Sequence, residues 1–112
     1  MLNKRCAPCE GSIPALSKSQ SLNYLKGLRN WKLSGDAKSI YVDHVMKNFS
    51  SAIQLIQKIA RLAEKEGHHP DIHLSGYRKL SIKLSTHAIR NLSENDFILA
   101  AKIDALPKDL KE

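Results

Sequence analysis

Cysteines, aromatic residues and long apolar runs are all scarce in this 112-residue chain, and each shortage removes a class of protein. The two cysteines, Cys6 and Cys9, lie too close together to brace a secreted scaffold, so a reducing cytoplasm is the expected location. No apolar run approaches the ~20 residues of a membrane helix, and the charged start leads into no signal-peptide core. Two Phe, three Tyr and one Trp leave little for stacking on nucleic-acid bases. With five glycines in all, no phosphate-cradling Gly-rich loop exists. No Gly-x-Ser-x-Gly singles out a nucleophilic serine.

What is present describes an ordinary folded domain. A hydrophobic fraction of 42% and a charged fraction of 26% exclude intrinsic disorder. The length suits one core, so a single domain over residues 1–112 is expected, its first 15 residues irregular around Pro8, Gly11 and Pro14. The net charge of +7 comes from basic residues scattered between Lys4 and Lys111. They read as a solvated surface, since nucleic-acid binding needs them gathered on one face.

Periodicity sets out the elements. Ser17 or Ser19 caps a short helix carrying Leu22, Leu25 and Leu28. Trp31 to Leu33, turn residues Ser34, Gly35 and Asp36, then Ile40, Tyr41 and Val42 read as a hairpin. Phe49, Ala52, Ile53, Ile56, Ile59, Ala60 and Ala63 recur at helical spacing over 48–66, with Leu55 and Leu62 widening the apolar arc. Gly67 suits a left-handed helix end, and Pro70 forbids continuation. Ile72 and Leu74, then Leu80, Ile82 and Leu84, alternate with polar residues around a turn at Gly76. Ser93 with Asp96 resembles a capping box for a last helix that Pro107 ends. The order α-β-β-α-β-β-α predicts an α+β fold, a four-stranded antiparallel sheet with three helices on one face.

Five histidines stand at 44, 68, 69, 73 and 87. His69 and His73 have the spacing of helical zinc ligands, but Pro70 denies them a common helix, and along a strand they lie ~13 Å apart. No metal is expected. Cys6-Ala7-Pro8-Cys9 has a redox-like form, yet no helix start follows to activate a thiolate, which leaves a structural turn or half of a weak metal site. The adjacent His68 and His69 lie on a loop that a rigid scaffold can aim, and His87 ends a strand. Imidazole titrates near neutral pH, so these three read as an acid/base set.

Glu64-x-x-x-His68-His69-Pro70, six residues to Tyr77, nine more to His87 and eight more to Asp96 resembles the signature of the pterin-4a-carbinolamine dehydratases. The flanking residues 66–72, 84–88 and 92–96 agree, as does Cys6-x-Pro-Cys9-Glu10-Gly11, which recurs in bacterial-type members. The resemblance implies a cofactor-free lyase that removes water from 4a-hydroxytetrahydrobiopterin to give quinonoid dihydropterin, recycling the cofactor of an aromatic amino-acid hydroxylase. It gives proton transfer to His68 and His87 and places His69 on the pterin. Backbone groups at 85–88, including Ser85, Thr86 and Ala88, would meet the pterin edge beside Pro70. Glu64 either orients a histidine or is a solvated helix charge; Asp96 either polarises the site or only caps its helix. Tyr77 is assigned to packing, His44 and His73 to structure. The resemblance further implies a homodimer or homotetramer, which the wide arc of the 48–66 helix suits. The competing reading is a non-catalytic binding or regulatory protein, coactivator-like or associated with nucleic acid.

Overall fold

The computed structural model describes Lys4, Cys6, Ala7 and residues 13–111. Cys9, Glu10 and Gly11 of the N-terminal motif lie outside the described residues.

Capping chemistry sets each helix. Ser17 and Gln20 exchange hydrogen bonds at the start of α1 (Lys18–Leu25), so Ser17 is the cap. Leu28, expected on this helix, lies in the turns beyond it. Asn48 and Ser51 form the same reciprocal box before α2 (Phe49–Glu66), and Gly67, at φ 67°, closes the helix in the left-handed conformation that an absent Cβ makes easy. Ser93 and Asp96 cap α3 (Glu94–Asp104).

Four strands, β1 (Lys32–Leu33), β2 (Ile40–Val45), β3 (Asp71–Ser75) and β4 (Lys79–Leu84), form one antiparallel sheet in the order β1-β2-β4-β3. The element order is therefore the expected one. Alternation along each strand sends Ile40, Val42, Leu80, Ile82 and Leu84 into the core. There they meet Ala52, Leu55 and Ile59 of α2 and Phe97, Leu99, Ala100 and Ile103 of α3. Tyr24 of α1 stacks on Phe97 with ring centroids 5.1 Å apart. Replacing the enclosed Phe97 by Ala should cost about 3–5 kcal/mol. The other sheet face carries rows of paired polar residues, Asp71, Lys83 and Tyr41 in one and His73, Ser81 and Asp43 in the next. Helices on one side only leave the ends of α2, β4 and α3 to meet at one edge.

Candidate active site

The chain leaves α2 through Gly67 and runs extended through His68, His69 and Pro70 into β3. Neighbouring side chains in extended backbone point to opposite sides, and the two histidines divide accordingly. His68 turns inward and is buried; its Nε2 lies 2.6 Å from Asp96 Oδ1. His69 turns outward, its side chain 62% exposed, with Nε2 2.8 Å from Glu64 Oε2 in the last turn of α2.

Asp96 joins the two histidine-bearing segments. While Oδ1 faces His68, Oδ2 accepts from the Thr86 hydroxyl at 2.9 Å and from the Ser93 N–H at 3.0 Å. An ionised Asp96 is an acceptor at both oxygens, and in that form of the pair the hydrogen bond runs from His68 Nε2 to Oδ1. Ser93 Oγ lies 2.7 Å from Thr86 Oγ1 and accepts the Asn95 N–H, which completes the hydroxyl chain. Thr86 in turn anchors the tip that presents His87. Its N–H donates to Asn91 O at 2.9 Å, and its carbonyl accepts from Asn91 and Ile89, closing a turn over residues 86–91. Within it, His87 opens a single 3-10 turn (His87–Ile89), and Arg90 takes a left-handed φ of 50°. His87 and Ala88 are exposed, and Ser85 and Pro70 are half-buried.

Three expectations change on this geometry. His68 does not share an open cleft with His87, because its ring is enclosed and paired with Asp96. Thr86 is not exposed beside its neighbours; it is fully buried and its polar atoms serve the turn and Asp96. Tyr77 does not pack in the core, being 58% exposed at the β3–β4 turn beneath the Arg78 guanidinium. Glu64 lies against His69 and is also a solvated helix charge, its side chain 78% exposed, while Asp96 both caps α3 and pairs with His68. His73 stands on the uncovered sheet face, away from these segments. His44 is half-buried on β2, its pKa pushed below the usual imidazole range by burial and then by the Lys108 charge. Among the described residues, no three of His, Cys, Asp and Glu converge in a way that would hold a metal ion.

Two residues of the site's surroundings escaped the pattern analysis. Glu66 is buried at the end of α2, where its carboxylate accepts the Cys6 N–H at 3.0 Å and pairs with Lys102 at 3.0 Å. Burial opposes its ionisation, but these contacts prevail and hold its pKa below the usual carboxylate range. Asn95 is buried beside Asp96, and its amide makes two 2.8 Å hydrogen bonds with the backbone of Ala7. A signal for Glu66 did exist, because it continues the buried positions 52, 55, 59 and 63 at helical spacing. Asn95 had none.

Comparison with known proteins points one way. The family profile for pterin 4 alpha carbinolamine dehydratase matches residues 14–106. A Halorhodospira halophila protein with the same, provisionally assigned dehydratase name is 41% identical over 106 residues, covering 95% of this chain and 96% of its own length. Pterin-4-alpha-carbinolamine dehydratase 2, mitochondrial, of Arabidopsis thaliana is 39% identical over 92% of this chain and 57% of that longer protein. Among solved structures, a transcriptional coactivator/pterin dehydratase from Brucella melitensis superposes with a TM-score of 0.78 at 28% identity, over 82% of this chain and 97% of its own. A pterin dehydratase-like RuBisCO assembly factor of the alpha-carboxysome shares the fold, at TM-score 0.58 and 21% identity, over 70% and 90%.

Proposed function

Because the chain belongs to the pterin-4-alpha-carbinolamine dehydratase family, we propose that it dehydrates 4a-hydroxytetrahydrobiopterin by histidine acid/base chemistry. The step breaks the C4a–O bond. One group protonates the departing hydroxyl, which leaves as water, and another takes a proton from a ring nitrogen to give the quinonoid dihydropterin. The observation that carries this reading is the pair of exposed imidazoles, His69 and His87, on two segments held together through Asp96.

Burial redistributes the roles that the resemblance implied. A ring enclosed against Asp96 is poorly placed to meet a substrate, so His68 positions the loop rather than transferring the proton. His69, backed by Glu64, and His87 take the acid/base roles. The pH dependence of the single variants distinguishes the group that protonates the hydroxyl from the one that takes the ring proton. Pro70, Ser85 and Ala88, which flank these histidines in the chain, are assigned to the pterin's edge. The reaction needs no added cofactor. The product would return to an aromatic amino-acid hydroxylase in the cytoplasm, and the exposed Phe49 on the wide arc of α2 suits a homodimer or homotetramer.

A stopped assay of carbinolamine dehydration tests this. His69→Ala and His87→Ala should each lower the rate by roughly 10²–10⁴-fold, the usual contribution of a positioned acid or base, while the fold persists. A wild-type protein no faster than buffer would overturn the dehydratase reading. Full activity in His69→Ala would overturn the division of roles. The likeness to the Brucella melitensis transcriptional coactivator/pterin dehydratase supports a second reading, a regulatory binding partner. That reading gains if the protein lacks dehydratase activity yet stabilises the dimer of a transcription factor.

A further inference from the structure

Near the N-terminus, Lys4, Cys6 and Ala7 are tied to both helices that frame the site. Cys6 N–H reaches Glu66, two residues before His68, and Ala7 is hooked by both amide atoms of Asn95, one residue before Asp96. Cys6 Sγ adds a weak contact to Asn95 O at 3.6 Å, and Lys4 Nζ meets Glu94 at 2.7 Å. The stretch therefore crosses the junction between the end of α2 and the start of α3. The His68–Asp96 pair crosses the same junction.

We infer that Asn95 and Glu66 are positioning residues, which clamp Cys6 and Ala7 as a strap across the α2–α3 junction and thereby keep water from the His68–Asp96 pair. The inference rests on the dehydratase reading for its catalytic meaning, but the strap is argued from burial and hydrogen bonding alone. Both residues are buried polar groups whose hydrogen-bonding capacity is met in part by strap backbone, and leaving such groups unmet is costly. The opposing surface supplies charge as well. Lys102 fixes the Glu66 carboxylate, so the acceptor for Cys6 N–H is already oriented when the strap arrives. With the strap released, water would reach the ends of both helices and compete for Asp96. His68 would lose its fixed orientation, and His69, the next residue, would lose its aim.

Asn95→Ala in the full chain is the informative variant. It deletes both hydrogen bonds to Ala7 while the backbone N–H that bonds Ser93 remains. Two readouts follow the two halves of the idea. Alkylation of Cys6, located by peptide mass spectrometry, measures strap release; solvent exchange of the His68 Nε2 proton, seen by NMR, measures protection of the pair. Both rates should rise about tenfold or more, as losing two hydrogen bonds shifts an opening equilibrium by that order. Lys4→Ala, which touches only the exposed end, should change neither. If Cys6 alkylation accelerates while His68 exchange does not, the strap does not guard the pair and the proposal fails. If neither changes, Asn95 does not hold the strap and the proposal fails equally. Should Asn95→Ala not fold, Asn95→Asp keeps the acceptor, loses the donor to Ala7 O and answers the same question. Neither readout needs turnover, so a wild-type chain without dehydratase activity refutes the proposed function and leaves the strap measurement standing.

Discussion

His68 and His69 are neighbours in the chain, and each faces a carboxylate at nearly the same distance, 2.6 Å and 2.8 Å. The surroundings of the two pairs are opposite. The side chains of His68 and Asp96 are 4% and 0% exposed, whereas those of His69 and Glu64 are 62% and 78% exposed. In water an ion pair is worth about 0–1 kcal/mol, because solvent competes for both partners. In the interior, removing one partner costs about 3–5 kcal/mol, since the other is left without water to replace it. The same chemical pairing therefore serves architecture on one side of the loop and stands open to solvent on the other.

The sharpest way to break this contrast is Asp96→Ala. It strands His68, the Thr86 hydroxyl and the Ser93 N–H together, and should lower the unfolding free energy in urea by about 3–5 kcal/mol. A loss below about 1 kcal/mol would mean that the buried pair behaves like a surface pair. Glu64→Gln should do the reverse, changing stability by less than about 1 kcal/mol while slowing dehydration, though by a smaller factor than His69→Ala. An equal loss of stability in the two variants would erase the distinction.

Acid should separate the buried carboxylates from the exposed ones. Glu66 has its folded pKa below the ordinary value near ~4.3, so its contribution is complete above that pH and is lost as pH falls through the lowered folded pKa. Stability measured from pH 6 down to pH 2 should fall less steeply below about pH 4 in Glu66→Gln than in the wild type. The smallest effect belongs to Lys4→Ala. Its ion pair with Glu94 lies at the surface, and the melting temperature should not move measurably.

How much of this was legible depended on whether a signal was local. Helix α2 could be bounded at both ends because Asn48, Gly67 and Pro70 act through backbone geometry within a turn or two of themselves. The capping box of Ser93 and Asp96 was readable for the same reason. The inward turn of His68 was not, because burial depends on α3, 28 residues away, supplying Asp96 as a partner. Thr86 was misplaced on similar grounds: a threonine after a strand looks available until its hydroxyl and backbone are counted against Ser93, Asp96 and Asn91. Tyr77 failed differently. An aromatic residue promises core, but Gly76 and Tyr77 both take positive φ at the hairpin tip and direct the ring to solvent. The sheet order β1-β2-β4-β3 was likewise absent from the periodicity, which fixes faces and says nothing of neighbours.

The turn over residues 86–91 has a consequence for protein engineering. Its ends are fastened to each other by backbone hydrogen bonds, and Thr86 is fastened to α3 through Asp96. Residues 88–90 between them are thus a replaceable cassette, whose composition can be varied around a retained His87 without renegotiating the core. Arg90 occupies a left-handed conformation there without being glycine or asparagine, which makes it the natural first position to exchange. Glycine at 90 would relax the backbone and leave residues 88 and 89, beside His87, free to be exchanged on an unstrained turn.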